Sequence, residues 1–220
     1  MKYYPVNLDI RNRNCLVVGG GDVGTRKVMT LLECDAKVTV VTKHATEKLK
    51  KLANMNRITL KHRSYLASDL YGMFMVIGAT DDQKLNKQLH SDAESRNLLC
   101  NIADRPESCN FILPAIVNQG DLVISISTSG KSPGFAKKLR KDMEKEFGQE
   151  YKTFLQLMGR IREKLLSVEH EPEAHKILFE KLINSNLVDL IRDGKIADIN
   201  DILLSIPGQG YDFELLMDSD

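Results

Sequence analysis

Cys15-Leu16-Val17-Val18-Gly19-Gly20-Gly21-Asp22-Val23-Gly24 is a short apolar run that ends in a G-x-G-x-x-G spacing, placed where a first strand hands over to a first helix. In that setting the pattern reads as a dinucleotide-binding turn. Gly19 permits the tight turn, Gly21 lets backbone approach a pyrophosphate, and Gly24 lets the helix pack closely on the strand. The N–H groups of the turn, at Asp22 and Val23, then face the phosphates. A glycine-rich turn that binds nothing is the alternative, and it leaves the fit of both flanks unused. The expected cofactor is NAD or NADP.

The 220 residues suffice for one large domain or a nucleotide-binding domain with a smaller appendage, and 42% hydrophobic residues allow a substantial core. A formal net charge of +1, with no basic block in either half, argues against general nucleic-acid binding. No apolar segment approaches membrane-spanning length, and Met1-Lys2-Tyr3-Tyr4-Pro5 lacks a signal-peptide core. The expected location is therefore the cytoplasm, with no membrane partner. Cys15, Cys34, Cys100 and Cys109 form no C-x-x-C pair. Cys15 and Cys100 fall within predicted strands and read as small buried apolar side chains, so no metal site is expected.

From residue 14 onward, valine- and isoleucine-rich runs at 15–18, 38–41, 58–60, 73–77 and 98–102 alternate with helical stretches at 25–34, 46–55 and 82–96. This is the rhythm of a parallel sheet covered on both faces. After Pro114 the pattern changes. Residues 115–117, the turn Asn118-Gln119-Gly120-Asp121 and residues 122–127 read as a hairpin that opens a second unit. Beyond Pro133 the spacing is helical, through Phe135, Leu139, Met143 and Phe147 and then Phe154, Leu157, Ile161 and Leu165. Stops stand at Gly148 and at Asp193-Gly194.

An NAD-specific turn usually has an acidic residue about 20 positions on, at the end of the second strand. Here that place reads Val40-Val41-Thr42-Lys43-His44. Thr42 and backbone groups are left to meet the ribose, Lys43 can accept a 2′-phosphate, and the alternative for Lys43 and His44 is a solvated loop. Gly78-Ala79-Thr80-Asp81-Asp82 follows the fourth strand at the carboxyl edge, where ligands of open α/β sheets bind; Thr80 or Asp81 can also cap the next helix. Asn101 and Asp104 lie just past the fifth strand on that edge, followed by Arg105-Pro106. The Asp104 carboxylate is either a base or a turn residue. Ser127-Thr128-Ser129-Gly130-Lys131-Ser132-Pro133 is a hydroxyl-rich loop before a helix, suited to a carboxylate or phosphate, or a plain capped loop. It misses the G-x-x-x-x-G-K-[ST] phosphate loop because Ser125 stands at the first glycine position.

Taken in order, Pro5-Val6-Asn7-Leu8, Arg11-Asn12-Arg13, the 17–24 turn, Arg26-Lys27, Ala79-Thr80-Asp81-Asp82, Cys100-Asn101-Ile102-Ala103-Asp104, Phe111-Ile112-Leu113-Pro114-Ala115 and the 127–133 loop resemble the siroheme-synthase N-terminal family, the precorrin-2 dehydrogenases that are often also sirohydrochlorin ferrochelatases. The resemblance runs through roughly the first 150 residues, and the helical tail matches in type more than in residues. It implies an α/β fold: a Rossmann domain over 1–113, a dimerisation region over 114–148, a helical C-terminal domain over 149–220, and an intertwined homodimer. It implies NAD despite the missing acid, precorrin-2 and sirohydrochlorin as tetrapyrrole substrates, and Fe2+ as a substrate of chelation. Asp104 matches the family's aspartate for both activities. Asn101, Arg105, Ser127, Thr128, Ser129, Gly130 and Lys131 are expected on the substrate side. This chain has Ser127-Thr128 where the family often has two serines, which keeps a hydroxyl. The methyltransferase domain of fused relatives does not follow in this sequence, so uroporphyrinogen methylation is expected to be done elsewhere.

The chemistry suits these residue types. Oxidation of precorrin-2, which bears eight carboxylates, sends a hydride to NAD+ and a proton to a base, and iron insertion displaces two pyrrole protons. Lys131, Arg105 and loop N–H groups are suited to the carboxylate side chains. Three other readings stay open: a dehydrogenase without chelatase activity, a non-catalytic NAD-sensing domain, and a dehydrogenase for another small substrate. No histidine among His44, His62, His90, His170 and His175 is placed like a catalytic dyad member.

Overall fold

Residues Asn14–Val18 form the central strand, β1, because an apolar run flanked on both sides by parallel neighbours is the composition that a doubly covered sheet demands. The computed structural model describes residues 2–103, 105–167 and 172–218. Strands β2 (Lys37–Thr42), β3 (Thr59–His62), β4 (Met75–Gly78) and β5 (Leu99–Ile102) join β1 in a five-stranded sheet of order β3-β2-β1-β4-β5. Every pairing is parallel, with Val17 beside Val40 on one side and Ile77 on the other.

Alternate strand residues feed two cores. Val17, Val40 and Ile77 pack with Val28 and Leu31 of helix α1 (Asp22–Glu33) and Leu49 of α2 (Glu47–Asn54). Leu16, Val18 and Val76 pack with Leu89 and Ala93 of α3 (Gln83–Glu94). The sheet is thus covered on both faces, as the sequence rhythm requires. Cys15 and Cys100 are buried in these cores, and burial pushes their thiols up to about 11 and about 12. Boundaries shift slightly from the sequence reading. The helix expected from residue 25 starts at Asp22, because Gly21 already has extended dihedrals and the chain turns directly into the helix after it.

The chain divides into two compact units, Met1–Leu113 and Pro114–Asp220. The second opens with an antiparallel hairpin of β6 (Ala115–Gln119) and β7 (Leu122–Ile126), turned by Gly120 at φ +66°. Helices follow: α4 (Pro133–Glu146), α5 (Gln149–Leu166), α6 (Pro172–Ile183), α7 (Leu187–Asp193), α8 (Ile196–Ser205) and α9 (Phe213–Met217). Leu157 and Ile161 of α5, Leu182 of α6, Leu187 of α7 and Ile199 and Leu203 of α8 make a separate buried core. Gly194 ends α7 in the left-handed region at φ +68°, where glycine avoids the Cβ penalty. Among the described residues no helix is long and apolar enough to cross a membrane.

Candidate active site

The three motif glycines meet three different demands. A Cβ on Gly19, which has φ +117°, would stand 2.1 Å from the Ala79 carbonyl oxygen. A Cβ on Gly24 would stand 2.2 Å from the Gly19 carbonyl oxygen, so only glycine lets α1 seat against the β1 turn. A Cβ on Gly21 would meet no non-neighbouring atom of the described residues within 4 Å. That opening faces the start of α1, where Gly21 supplies no side-chain cap, leaving first-turn N–H groups for an anion. A dinucleotide's pyrophosphate fits this arrangement of open space, free donors and helix dipole.

A cleft of about 470 Å3 opens at the carboxyl ends of the strands, lined by Gly19, Thr42, Lys43, His44 and Thr80 together with Arg63, Tyr65, Asp82 and Lys84. Its position, at the point where the strand order reverses on either side of β1, is where ligands of such sheets bind. The Thr42 hydroxyl donates to the His44 carbonyl at 2.9 Å and accepts from the His44 N–H at 3.2 Å. It thus shapes the loop after β2 and keeps one lone pair for a ribose hydroxyl. Gly20, which the sequence reading left without a role, presses on this loop: a Cβ there would come within 2.6 Å of the His44 carbonyl oxygen and the Thr42 methyl. The cap of α3 also needs correcting. Asp82, not Thr80 or Asp81, caps the helix, its Oδ1 accepting from the Lys84 and Leu85 N–H groups at 2.9 and 3.1 Å, while the Thr80 hydroxyl accepts from Asp82 N–H at 3.2 Å.

Among the described residues Arg63 is the one guanidinium on the cleft wall, and it is committed. Its two terminal nitrogens donate to both oxygens of Asp69, at 2.7 and 2.6 Å, and one also donates to the Ser64 carbonyl at 2.8 Å. Asp69 is 3% exposed and also accepts from Lys61 and from the Leu66 N–H. The Arg63 hydrogen bonds hold its carboxyl far below the usual carboxylate range.

Asn101 is buried, and its Nδ2 donates to the Phe111 carbonyl at 3.0 Å, which fastens a loop instead of presenting an amide to a ligand. Arg105 lies 3.8 Å from Glu107. Asp104, the expected base, and His170 lie outside the described residues. In the second unit, Ser127 accepts from the Ser129 N–H and Thr128 from the Ser132 N–H, both at 3.1 Å, so two hydroxyls hold the loop in shape. Ser129 and Gly130, at φ +53° and +81°, and Lys131 are exposed on it. The Lys131 N–H donates to the Thr128 carbonyl at 3.0 Å, so the loop's own groups take up the N–H groups of Ser129, Lys131 and Ser132.

The family described as Putative NAD(P)-binding matches residues 6–115, half of the chain. The chain belongs to that NAD(P)-binding family. The family described as Sirohaem biosynthesis protein central matches residues 119–146 of this NAD(P)-binding protein. Its relatives include a siroheme synthase from Ruthia magnifica subsp. Calyptogena magnifica, 34% identical over 198 residues, which cover 90% of this chain and 42% of the relative. Another, from Nitrosococcus oceani, is 35% identical over 195 residues, covering 89% and 42%. The chain spans less than half the length of these curated relatives. A solved structure described as SirC, precorrin-2 dehydrogenase, is similar at a TM-score of 0.80 and 25% identity, covering 93% of this chain and 99% of that one. The resemblance carried by the motifs and the Rossmann-type fold with a helical C-terminal region are both met by these findings.

Proposed function

We propose that this protein oxidises precorrin-2 to sirohydrochlorin with NAD+ as hydride acceptor. The observation that supports it most is the glycine turn at the strand edge, with space reserved at Gly21, in a chain of which 93% is similar to a precorrin-2 dehydrogenase. NAD supplies a two-electron hydride acceptor. The chain's own residues do the rest. Gly19, Gly21, Asp22, Val23 and Gly24 cradle the pyrophosphate, and Thr42, Lys43, His44 and Thr80 border the adenosine half. The NAD reading is supported by Asp69 already occupying Arg63, which leaves Lys43 and no free guanidinium among the described cleft residues to meet a 2′-phosphate. A carboxylate oxygen of Asp104 takes the proton released as the hydride leaves. The Arg105 guanidinium and the Lys131 ammonium are the cations this reading offers to substrate carboxylates.

Iron insertion into sirohydrochlorin is the second activity in this reading, supported by relatives that bear the name siroheme synthase. There Asp104 would accept pyrrole protons and Fe2+ would be a substrate. The reading includes a homodimer formed through residues 114–148, with 149–220 as the helical domain. The test is the absorbance of purified protein with precorrin-2 and NAD+, followed by Fe2+ without NAD+. Appearance of sirohydrochlorin supports the dehydrogenase. NAD+ binding without turnover would leave a cofactor-sensing domain, and oxidation without subsequent siroheme would leave the dehydrogenase alone.

A further inference from the structure

The place where an NAD-binding turn usually carries its ribose carboxylate is filled by Thr42-Lys43, and the parallel register sets His62 of β3 beside Thr42. Arg63 follows directly, so β3 delivers a guanidinium to the end of the cleft that Lys43 and His44 also line. A guanidinium near this corner is what NADP-binding sheets use for a 2′-phosphate. This one is engaged within the chain. Asp69 meets it with both oxygens, and the same carboxylate accepts from the Lys61 ammonium at 2.9 Å and the Leu66 N–H at 3.0 Å. The Asp69 N–H donates in turn to the Leu66 carbonyl at 2.8 Å, which pins the carboxylate in the turn at Ala67–Leu70. Tyr65, between Arg63 and that turn, is buried, and its hydroxyl donates to Asp92 of α3 at 3.1 Å, tying the segment to the helix.

We propose that Asp69 sets a preference for NAD+ over NADP+ by keeping the Arg63 guanidinium bound to itself and closed to a 2′-phosphate. The inference rests on the reading of this cleft as the NAD+ site. Where the usual acid is present, a carboxylate selects NAD by meeting the ribose hydroxyls directly. Here an acid from beyond β3 acts one step removed, through the cation it occupies. The competition for that cation is unequal. A phosphate that drew Arg63 away would leave the buried Asp69 carboxylate with Lys61 and one N–H, and taking one partner from a buried ion pair is strongly unfavourable. Lys43 is exposed and offers a point charge in place of a paired fork, which holds a 2′-phosphate less well. NAD+ asks nothing of Arg63, since its ribose hydroxyls can meet Thr42 and backbone groups.

The test is the calorimetric affinity of the full chain for NAD+ and for NADP+, read as the ratio between them, because a change in the folded fraction affects both alike. Wild type should bind NAD+ more tightly. D69N, which keeps the shape and gives up the charge, should raise relative NADP+ affinity by about tenfold, the scale of a hydrogen bond to a charged group. R63Q alone should leave the ratio unchanged, because the guanidinium it removes is already taken, and D69N/R63Q should lose the gain of D69N. A purely structural Asp69 would lower both affinities together in D69N and leave the ratio where it was, which overturns the proposal. So does a gain that persists in D69N/R63Q, or an R63Q variant that loses NADP+ affinity selectively. Should D69N not fold, K43R supplies a guanidinium on the loop after β2 and should raise the ratio; an unchanged ratio there overturns the proposal as well. Wild-type protein that binds neither dinucleotide would remove the cofactor reading itself, whereas equal binding of both would remove only the preference.

Discussion

Gly21 and Gly24 stand three residues apart and fail in different ways when substituted. Gly21 has ordinary extended dihedrals and open space around its missing Cβ, so Gly21→Asp should fold normally. Its carboxylate would nevertheless occupy the volume and the field meant for a pyrophosphate, and calorimetry should show NAD+ binding abolished at unchanged Tm. Gly24→Ala instead drives a methyl into the Gly19 carbonyl, and is expected to cost about 1–3 kcal/mol in urea unfolding as α1 shifts off the sheet. Unchanged NAD+ affinity in folded Gly21→Asp would remove the cofactor assignment. Asp104→Asn keeps shape and removes basicity, so a loss of about 10²–10⁴-fold in turnover is expected with NAD+ affinity near wild type. A variant that oxidises precorrin-2 and inserts iron at normal rates would return Asp104 to a turn-capping role.

Among the elements, the segment after β3 owes its shape to Asp69, which draws Lys61, Arg63 and the Leu66 N–H onto one buried carboxylate. Because that carboxyl is held below its unfolded value of about 3.9, its contribution is fully present above that value and is lost as pH falls toward the lowered folded value. Asp69→Asn should therefore be less stable than wild type by about 2 kcal/mol at pH 7, and the gap should narrow at pH 3. Urea midpoints at the two pH values check this; a constant gap would mean the carboxylate charge contributes nothing. No local signal in the sequence announces this network, since Lys61 and Arg63 meet Asp69 only once the chain bends back. The hydrogen bonds by which Asn110 and Cys109 meet backbone groups of Leu98, Cys100 and Ile102 on the β5 edge are illegible for the same reason, since they depend on where the later loop returns. The parallel sheet and its two covered faces were legible, because alternating valine runs and helical stretches admit few other arrangements, whereas the strand order came only with the structure. The cap of α3 was misread within the run Thr80-Asp81-Asp82, where all three residues can cap and only backbone dihedrals choose Asp82. The roles of Gly19 and Gly24 were legible from spacing alone, but that of Gly20 required the position of the loop after β2.

At the scale of the whole molecule, the hairpin of the second unit is incomplete by itself. Among the described residues it has two strands, so β6 and β7 each leave one edge without a strand partner there, and on its outer face Ile116 and Val123 are 39% and 49% exposed. Val117 on the other face is fully buried, so the alternation sorts the strand into a face used within the chain and a face left over. Phe135 of α4 is also half exposed. A second copy offers the same edges and the same apolar face, and an isologous pairing would satisfy both at once. Sedimentation at micromolar concentration should therefore give a homodimer, and the paired substitutions Ile116→Asp and Val123→Asp should shift it to monomer by placing like charges in the joint. The first unit has its own two cores, so NAD+ binding should survive in that monomer while any step needing both copies fails. A wild-type chain that sediments as a monomer would contradict the dimer, and would leave this hairpin face open to a different partner.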